Sequence, residues 1–412
     1  LRFAEEGPQG MKGERIAVVL ASLGPGGAER IMVRLAGLLE RQGFVVDIVV
    51  PAPQSDAMKA GVPEGVSLVE LDGGHYFESL RLFHRIFKTK NILMLPWAFV
   101  VFFWKLFAST RSLTRYIRRR RPGLLLTAHY NAMTLAANFL AGKPSRVVVT
   151  EHTLLSEHLR RQVAPVRVCF STMCRLFYPK ADRVVGVSSA VAADLTAHFR
   201  VPPGRVGHIY NPVVGSALKR KAEEACVHPW LADKTIPALI SVARLSPEKD
   251  FDTLLEAFSL LRRAMSVRLL VLGDGPDRGR LERRATDLKI DADIDWMGMV
   301  ANPLPFVRDA DALVLSTFYE GLPTVLIEAL YVGTTPVATD APGGIREILE
   351  EGRYGYIVPM QDAPALSGGM LKALHQPMPK GMLQERAEAF SEKQAVDAYL
   401  NLLGMIGVAR DA

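Results

Sequence analysis

Residues 16–30 read IAVVLASLGPGGAER. The first seven form a continuous apolar run of strand length, the pattern of a parallel strand covered on both faces. A glycine-rich loop follows, then a helical pattern that runs to Gln42 and stops at Gly43. This is one βα unit, and the chain repeats it. FVVDIVV (44–50), LLLTAHY (124–130), RVVVTEH (146–152) and RVVGVS (183–188) read as further strands, with Ser188 and Ser189 placed to cap the next helix.

The rhythm breaks at VPPGRVGHIYNPVVG (201–215), which holds three prolines and three glycines. PALISVAR (237–244) then opens a second series. It continues through a helix from Asp250, strands VRLLVLG (267–273), IDWMG (294–298) and ALVLS (312–316), a helix after Pro323, and strand TPVAT (335–339). Two such series predict an α/β chain of two doubly wound, Rossmann-like domains facing a central cleft. The expected limits are 1–205 and 206–390, with a final helix over 391–412 crossing back to the first domain. Ligands of such sheets sit beyond the carboxyl ends of the strands, so the loops that follow strands carry the chemistry.

Composition agrees. The chain has 412 residues, 49% hydrophobic and 23% charged, which suits two or three globular domains. Cys169, Cys174 and Cys226 form no zinc spacing and no disulfide framework, which fits a reducing cytosol. The first dozen residues are polar, with no cleavable signal pattern. The net charge of +7 is unevenly placed: Ser79 to Thr150 holds 13 Lys and Arg and no acid, while the other 340 residues sum to −6.

Five stretches stand out. In LGPGGAER (23–30), glycines allow close backbone approach, and the helix start offers N–H groups to a phosphate or sugar. A bare tight turn is the plainer reading. A dinucleotide fingerprint fails because Glu29 occupies the third small position. SVARLSPEKD (241–250) puts Arg244 and Lys249 at a strand end, where they can clamp a diphosphate or simply be solvated. EGLPTVLIE (320–328) places two carboxylates eight residues apart around a helix start. The helix start suits an anion, so Glu320 beside it suits sugar hydroxyls. Glu328, flanked by Ile327 and Ala329, needs a partner such as ribose hydroxyls. The plain alternative is a capping Glu and a structural ion pair. DADID (291–295) and DAD (309–311) match a metal-binding D-x-D pattern but fall at helix–strand junctions and read as turns. His129 and Glu151 sit at strand ends facing the cleft, His129 as a core or supporting residue.

Taken together, E-x7-E, the Arg/Lys pair of SVARLSPEKDF, LGDGP (272–276) and GGAER (26–30) resemble the retaining glycosyltransferases of family four, of GT-B fold. The resemblance covers nearly the whole chain from about residue 15 and is densest over 237–358. It implies that Arg244 and Lys249 bind the donor diphosphate, supported by the backbone of Gly321, Leu322, Pro323 and Thr324. Glu320 would contact the donor sugar and Glu328 the ribose. Val300 in MGMV (297–300) would hold the base through its backbone, and Gly26 and Gly27 would close on the donor from the other domain. His152 in VVTEHT would lie near the reaction centre. No metal or other cofactor is expected.

NILMLPWAFVVFFWKLFA (91–108) carries one charge, Lys105. Its uncharged part, 92–104, is shorter than the roughly 20 residues that span a bilayer, and Pro96 is expected to interrupt it. The segment 80–121 reads as a membrane-contact element, with Trp97, Phe102 and Phe103 in lipid and Arg118, Arg119, Arg120 and Arg121 on anionic headgroups. A packed helix pair with solvated arginines is the alternative. Nucleic acid is not expected, because the aromatics cluster apart from the charges.

The expected protein is a hexosyltransferase. It would use a nucleotide-sugar donor (UDP- or GDP-linked) and a lipid-linked or glycan acceptor, as a peripheral protein at the cytoplasmic face of the cell membrane. A soluble GT-B synthase or epimerase, or a non-catalytic nucleotide- or lipid-binding protein of the same fold, are the alternatives.

Overall fold

The computed structural model describes residues 13–24, 26–73 and 95–407. They form two compact units, each built on its own parallel sheet. The first comprises the chain up to Val187, Val191–Ile209 and the segment from Ala395; the second comprises Ser188–Ala190 and Tyr210–Gln394.

In the first unit, β1 (Arg15–Leu20), β2 (Val45–Val50), β3 (Ser67–Glu70), β4 (Leu124–Ala128), β5 (Arg146–Glu151), β6 (Arg183–Gly186) and β7 (Val206–His208) are arranged as β3-β2-β1-β4-β5-β6-β7. Every pairing is parallel. The apolar runs are apolar because helices cover both faces: Ile16, Ala17 and Val18 are fully buried. Helix Gly27–Arg41 packs on β1 and β2 through Met32, Leu35, Ala36 and Leu39. It ends where Gly43 adopts φ 95°, a left-handed turn that glycine enters without Cβ strain. Each Leu, Ile or Val so buried contributes roughly 1.5–3 kcal/mol. Tyr399, Leu403 and Ile406 from the last helix join the same core.

In the second unit, β8 (Ala238–Val242), β9 (Arg268–Leu272), β10 (Ile294–Gly298), β11 (Ala312–Leu315), β12 (Thr335–Thr339) and β13 (Tyr356–Val358) run β10-β9-β8-β11-β12-β13, again all parallel. Helix Phe251–Ala264 covers this sheet with Phe251, Leu254, Leu255, Phe258 and Leu261.

Both orders reverse direction beside the first strand of the series, between β1 and β4 and between β8 and β11. These are the switch points where doubly wound sheets open a crevice for ligands.

Two expectations need correction. The limit at 205/206 falls inside the first unit, because Val206–His208 pairs with β6 as the last strand of its sheet. Three short strands, β3, β7 and β13, go beyond the strands expected, each with only three or four residues of pattern. Helix Leu95–Arg120 includes Pro96, and residues 92–94 of the apolar run it was expected to interrupt lie outside the described residues. No helix among the described residues is long and apolar enough to cross a membrane. Of the expected membrane-contact segment, residues 80–94 lie outside the described residues, as do the side chains of Trp97, Phe102 and Phe103.

Candidate active site

The crevice of the second sheet is lined by the loops after β8 and β11. The first carries Arg244, exposed, and Lys249, at the end of a short turn Pro247–Lys249. The second carries Glu320. Lys249 Nζ lies 2.5 Å from Glu320 Oε1, and both side chains are largely buried. The pair is fixed by main-chain clamps. Ser316 Oγ donates to the Lys249 carbonyl (2.9 Å), and Thr317 Oγ1 and the Phe318 N–H donate to the Glu248 carbonyl (3.0 and 2.9 Å).

A third loop, after β12, braces the same place. The Glu320 N–H donates to the Pro342 carbonyl, and the Gly344 N–H donates to the Gly321 carbonyl, each at 3.0 Å. A Cβ on Gly343, at φ 126°, would collide with the Glu320 carbonyl, and one on Gly344 would meet the Gly321 oxygen at 2.9 Å. Ser188 Oγ donates to the same Gly321 oxygen at 2.9 Å, rather than serving only its own helix.

Helix Thr324–Val332 starts immediately after this turn. Pro323 is its N-cap, one position before the first helical turn expected for it, and no side chain caps the helix. Gly321, Leu322 and Pro323 are buried and Thr324 half-buried. An uncapped helix start beside a lysine and an arginine is an anion site by dipole and charge. Glu328 is half-buried on that helix between the fully buried Ile327 and Ala329.

LGDGP (272–276) lies under Arg244. The Leu245 N–H donates to the Asp274 carbonyl at 3.1 Å, and Cβ atoms on Gly273 or Gly275 would collide with the carbonyls of Ala243 or Leu245. The glycines therefore set the backbone path that carries Arg244. Val300 is half-buried in the loop after β10.

The D-x-D stretches do other work. Asp293 accepts from Arg262 Nε at 2.6 Å, Asp309 from Arg308 at 2.7 Å, and Asp311 from the Ala238 N–H at 2.7 Å. No cluster of three or more potential metal ligands occurs among the described residues.

In the first unit, the crevice is lined by the loops after β1, β4 and β5. Gly26 is the N-cap of helix Gly27–Arg41, again without a side-chain cap bond. Gly26 and Gly27 are exposed, but the Glu29 carboxylate folds back over Gly26, where a Cβ would collide with it. Glu29 also faces His129, with Oε1 3.4 Å from Nδ1. His129 adopts φ 60°, a left-handed conformation costly for a residue with a Cβ. With 35% of its side chain exposed, it departs from the core half of the core-or-supporting expectation.

Burial alone would raise the Glu29 carboxyl, but the hydrogen bond and charge of His129 outweigh it and hold it below the ordinary value. His129 is the mirror case: burial pulls it down, and Glu29, with help from Glu151, pushes it above its ordinary value. This carboxylate alters the expected phosphate-or-sugar contact at GGAER. An anion would meet a like charge there, so the loop suits hydroxyl donors.

His152 is in the opposite state. Thr150 Oγ1 donates its only proton to the Thr127 carbonyl (3.0 Å), so it accepts from His152 Nε2 at 3.2 Å. That fixes the proton on Nε2 and leaves Nδ1 a lone pair, buried and without a hydrogen-bond partner among the described residues. Burial, then the nearby His129, push this imidazole down to about 3, so it is neutral. The two rings meet edge-on with centroids 6.3 Å apart.

Glu151 does not face the crevice. It is buried and accepts from Tyr178 Oη at 2.9 Å, and Tyr178 accepts in turn from Asn131 Nδ2 at 3.0 Å. Burial raises its carboxyl. Sequence reasoning named no role for His129 with Glu29, nor for Gly343 and Gly344. The glycine pair four residues past the end of strand TPVAT was a usable signal, whereas the Glu29–His129 contact joins residues 100 apart and leaves no local trace.

Two family models match the chain: "Glycosyltransferase Family 4" over 25–214 and "Glycosyl transferases group 1" over 227–395. An N-acetylgalactosamine-N,N'-diacetylbacillosaminyl-diphospho-undecaprenol 4-alpha-N-acetylgalactosaminyltransferase of Campylobacter jejuni is 26% identical over 401 residues, covering 95% of this chain and all of that protein. A second Campylobacter jejuni protein, a GalNAc-alpha-(1->4)-GalNAc-alpha-(1->3)-diNAcBac-PP-undecaprenol alpha-1,4-N-acetyl-D-galactosaminyltransferase, is 24% identical and covers 86% of this chain and 87% of its own. Among solved structures, the lipopolysaccharide outer core galactosyltransferase WaaB in its apo form superimposes with a TM-score of 0.67 at 16% identity, over 95% of this chain and 99% of that one.

Proposed function

Since this chain belongs to glycosyltransferase family four, a GT-B hexosyltransferase of glycan synthesis, we propose that it moves a hexose from a UDP- or GDP-linked donor, with retention of configuration, to a lipid-linked glycan. The observation that carries this reading is the Lys249–Glu320 pair beside an uncapped helix start at the switch point of the second sheet. A cation and a helix dipole suit a diphosphate, and a carboxylate suits the hydroxyls of the sugar attached to it.

On this reading Arg244, Lys249 and the backbone of Gly321–Thr324 take the diphosphate, Glu328 the ribose and Val300 the base. The bond from the sugar C1 to the diphosphate oxygen breaks, and the oxygen keeps the electron pair. The acceptor oxygen bonds to C1 on the same face, and its proton passes to the departing phosphate. Charge builds on that phosphate, where Arg244, Lys249 and the helix start stabilise it most. Within the first unit, His152 offers a hydroxyl an acceptor at Nδ1, held in one tautomer by Thr150.

The names of the two Campylobacter relatives point to undecaprenyl-diphosphate-linked acceptors, which favours an acceptor of that class and a peripheral location at the inner membrane face. No metal is needed on this reading, because the two cations and the helix dipole answer the diphosphate charge. Incubation with UDP- and GDP-hexoses and a lipid-linked saccharide extract tests it, with the product anomer read by NMR. An inverted linkage, or no turnover of any nucleotide sugar, would overturn it.

A further inference from the structure

Helix Leu95–Arg120 buries one side and exposes the other. Ser109, Leu113, Tyr116 and Ile117 are buried, and Tyr116 Oη donates to the buried Asp47 at 2.6 Å. On the exposed side stand Val100, Trp104, Phe107, Arg111, Arg115 and Arg118. At about 100° per residue these six fall within an arc of about 80°, so they make one stripe. Its first half is apolar, with Val100 67%, Trp104 71% and Phe107 62% exposed, and its second half is arginine.

The next helix, Asn131–Leu140, extends the stripe. Arg118 Nη2 donates to the Leu140 carbonyl at 2.6 Å, and there Phe139 and Leu140 are 64% and 53% exposed. Lys143 Nζ sits 5.5 Å from the Phe139 ring centre. The arginines therefore stand between two apolar footings, and from Phe107 to Arg118 the helix advances about 16 Å.

We infer that this stripe lies flat in the interface of an anionic bilayer, with Trp104, Phe107, Phe139 and Leu140 among the acyl chains and Arg111, Arg115 and Arg118 on lipid phosphates. The inference rests on the proposed membrane-bound acceptor and adds the surface that meets the membrane. Two facts select lipid as the occupant. A water-exposed tryptophan, phenylalanine and valine in one row form an apolar face larger than scattered single residues would. The charge beside them has one sign, with no acid from Ser79 to Thr150, which complements an anionic surface. A second copy of the chain would bring the same arginines against themselves.

The test is sedimentation of the full chain with phosphatidylglycerol–phosphatidylcholine vesicles and with pure phosphatidylcholine vesicles. Wild type is expected to pellet with the former much more than the latter. Replacing Arg111, Arg115 and Arg118 by Gln should weaken binding on the order of a hundredfold at low salt, at about fivefold per arginine. Trp104→Ser with Phe107→Ser should remove the part that survives high salt. Arg263→Gln with Arg283→Gln, exposed arginines of the second unit, should bind as wild type. Unchanged binding in the arginine variant overturns the inference, as does equal pelleting with neutral vesicles. So does a stripe-dependent dimer in light scattering, which would assign the face to a second copy. Hydrolysis of the nucleotide sugar, which needs no acceptor, separates the two claims. Turnover without vesicle binding removes this surface and leaves the transferase, whereas vesicle binding without turnover of any donor removes the transferase reading.

Discussion

Lys249 Nζ and Glu320 Oε1 stand 2.5 Å apart, so the cation assigned to the donor phosphates is already held by the acid assigned to the donor sugar. Each positions the other before a donor arrives. Lys249→Ala should therefore do more than remove a phosphate contact, because it frees the Glu320 carboxylate as well. Nucleotide binding should weaken by about 1.5–3 kcal/mol, the range for a hydrogen bond to a charged group. Turnover should fall further than binding. Titration calorimetry with the free nucleotide and steady-state kinetics measure the two, and wild-type turnover in both Lys249→Ala and Arg244→Ala would discard the clamp.

The two acids should separate kinetically. Glu320→Gln should lower kcat with little change in nucleotide affinity, since it acts at the sugar. Glu328→Ala should weaken free nucleotide, which carries the ribose but no sugar. Equal nucleotide affinity in Glu328→Ala and wild type removes the ribose assignment.

Gly343 should resist substitution for a reason visible in the backbone. Its φ of 126° and the collision of any Cβ with the Glu320 carbonyl mean that Gly343→Ala must shift the loop. The expected loss is about 1–3 kcal/mol in unfolding free energy, with a larger fall in turnover. Gly368→Ala is the contrast: it lies inside helix Ala363–His375 with open space around it and should gain about 0.5–1 kcal/mol. Chemical denaturation of the two variants reads both signs, and equal effects would contradict the account of the loop.

The histidines should titrate apart. His129 is raised by Glu29, so the contribution of their contact is complete below the ordinary value of about 6.5 and fades as pH rises through the raised one. Glu29 is lowered, so its share is present above about 4.5 and is lost as pH falls through its depressed value. Between those limits the ion pair persists. Glu29→Gln should move the His129 midpoint to lower pH. His152, pushed to about 3, should remain neutral throughout the same range. NMR of the ring Cε1–H signals follows both, and a shared midpoint near 6.5 would refute the assignment of opposite charge states.

A chelator should leave turnover unchanged. Asp293 and Asp309 are already bound to Arg262 and Arg308, so recruiting them to a metal would break those pairs. A strict divalent-ion requirement that survives dialysis would reassign them.

Much of this was legible before any coordinates. The apolar runs named β1, β2, β4, β5 and β6 because buried parallel strands leave a continuous pattern. Arg244, Lys249 and Glu320 could be placed because each follows a strand by a few residues, and Glu328 because it lies on the helix that comes next. The rest depends on distance in space. β3, β7 and β13 are too short to carry a period. His129 needed its φ and Glu29 across the sheet. Glu151 looked available until Tyr178 and Asn131 were seen to enclose it.

Among the described side chains, helix Leu95–Arg120 is anchored in its second half. From Ser109 onward it is tied down, by Ser109 Oγ to the Gly73 carbonyl at 3.0 Å, by Thr114 Oγ1 to the Ala137 carbonyl at 3.4 Å and by Tyr116 to Asp47. Trp104 and Phe107 precede those anchors, so their bearing relative to the arginines follows the number of helical residues between them. One alanine inserted after Phe107 would swing Trp104 and Phe107 by about 100° while every arginine kept its place. Seven inserted residues would return them to within about 20° of their bearing, some 10 Å farther out. Evolution can thus lengthen this arm by whole heptads without touching the catalytic sheets, but not by single residues.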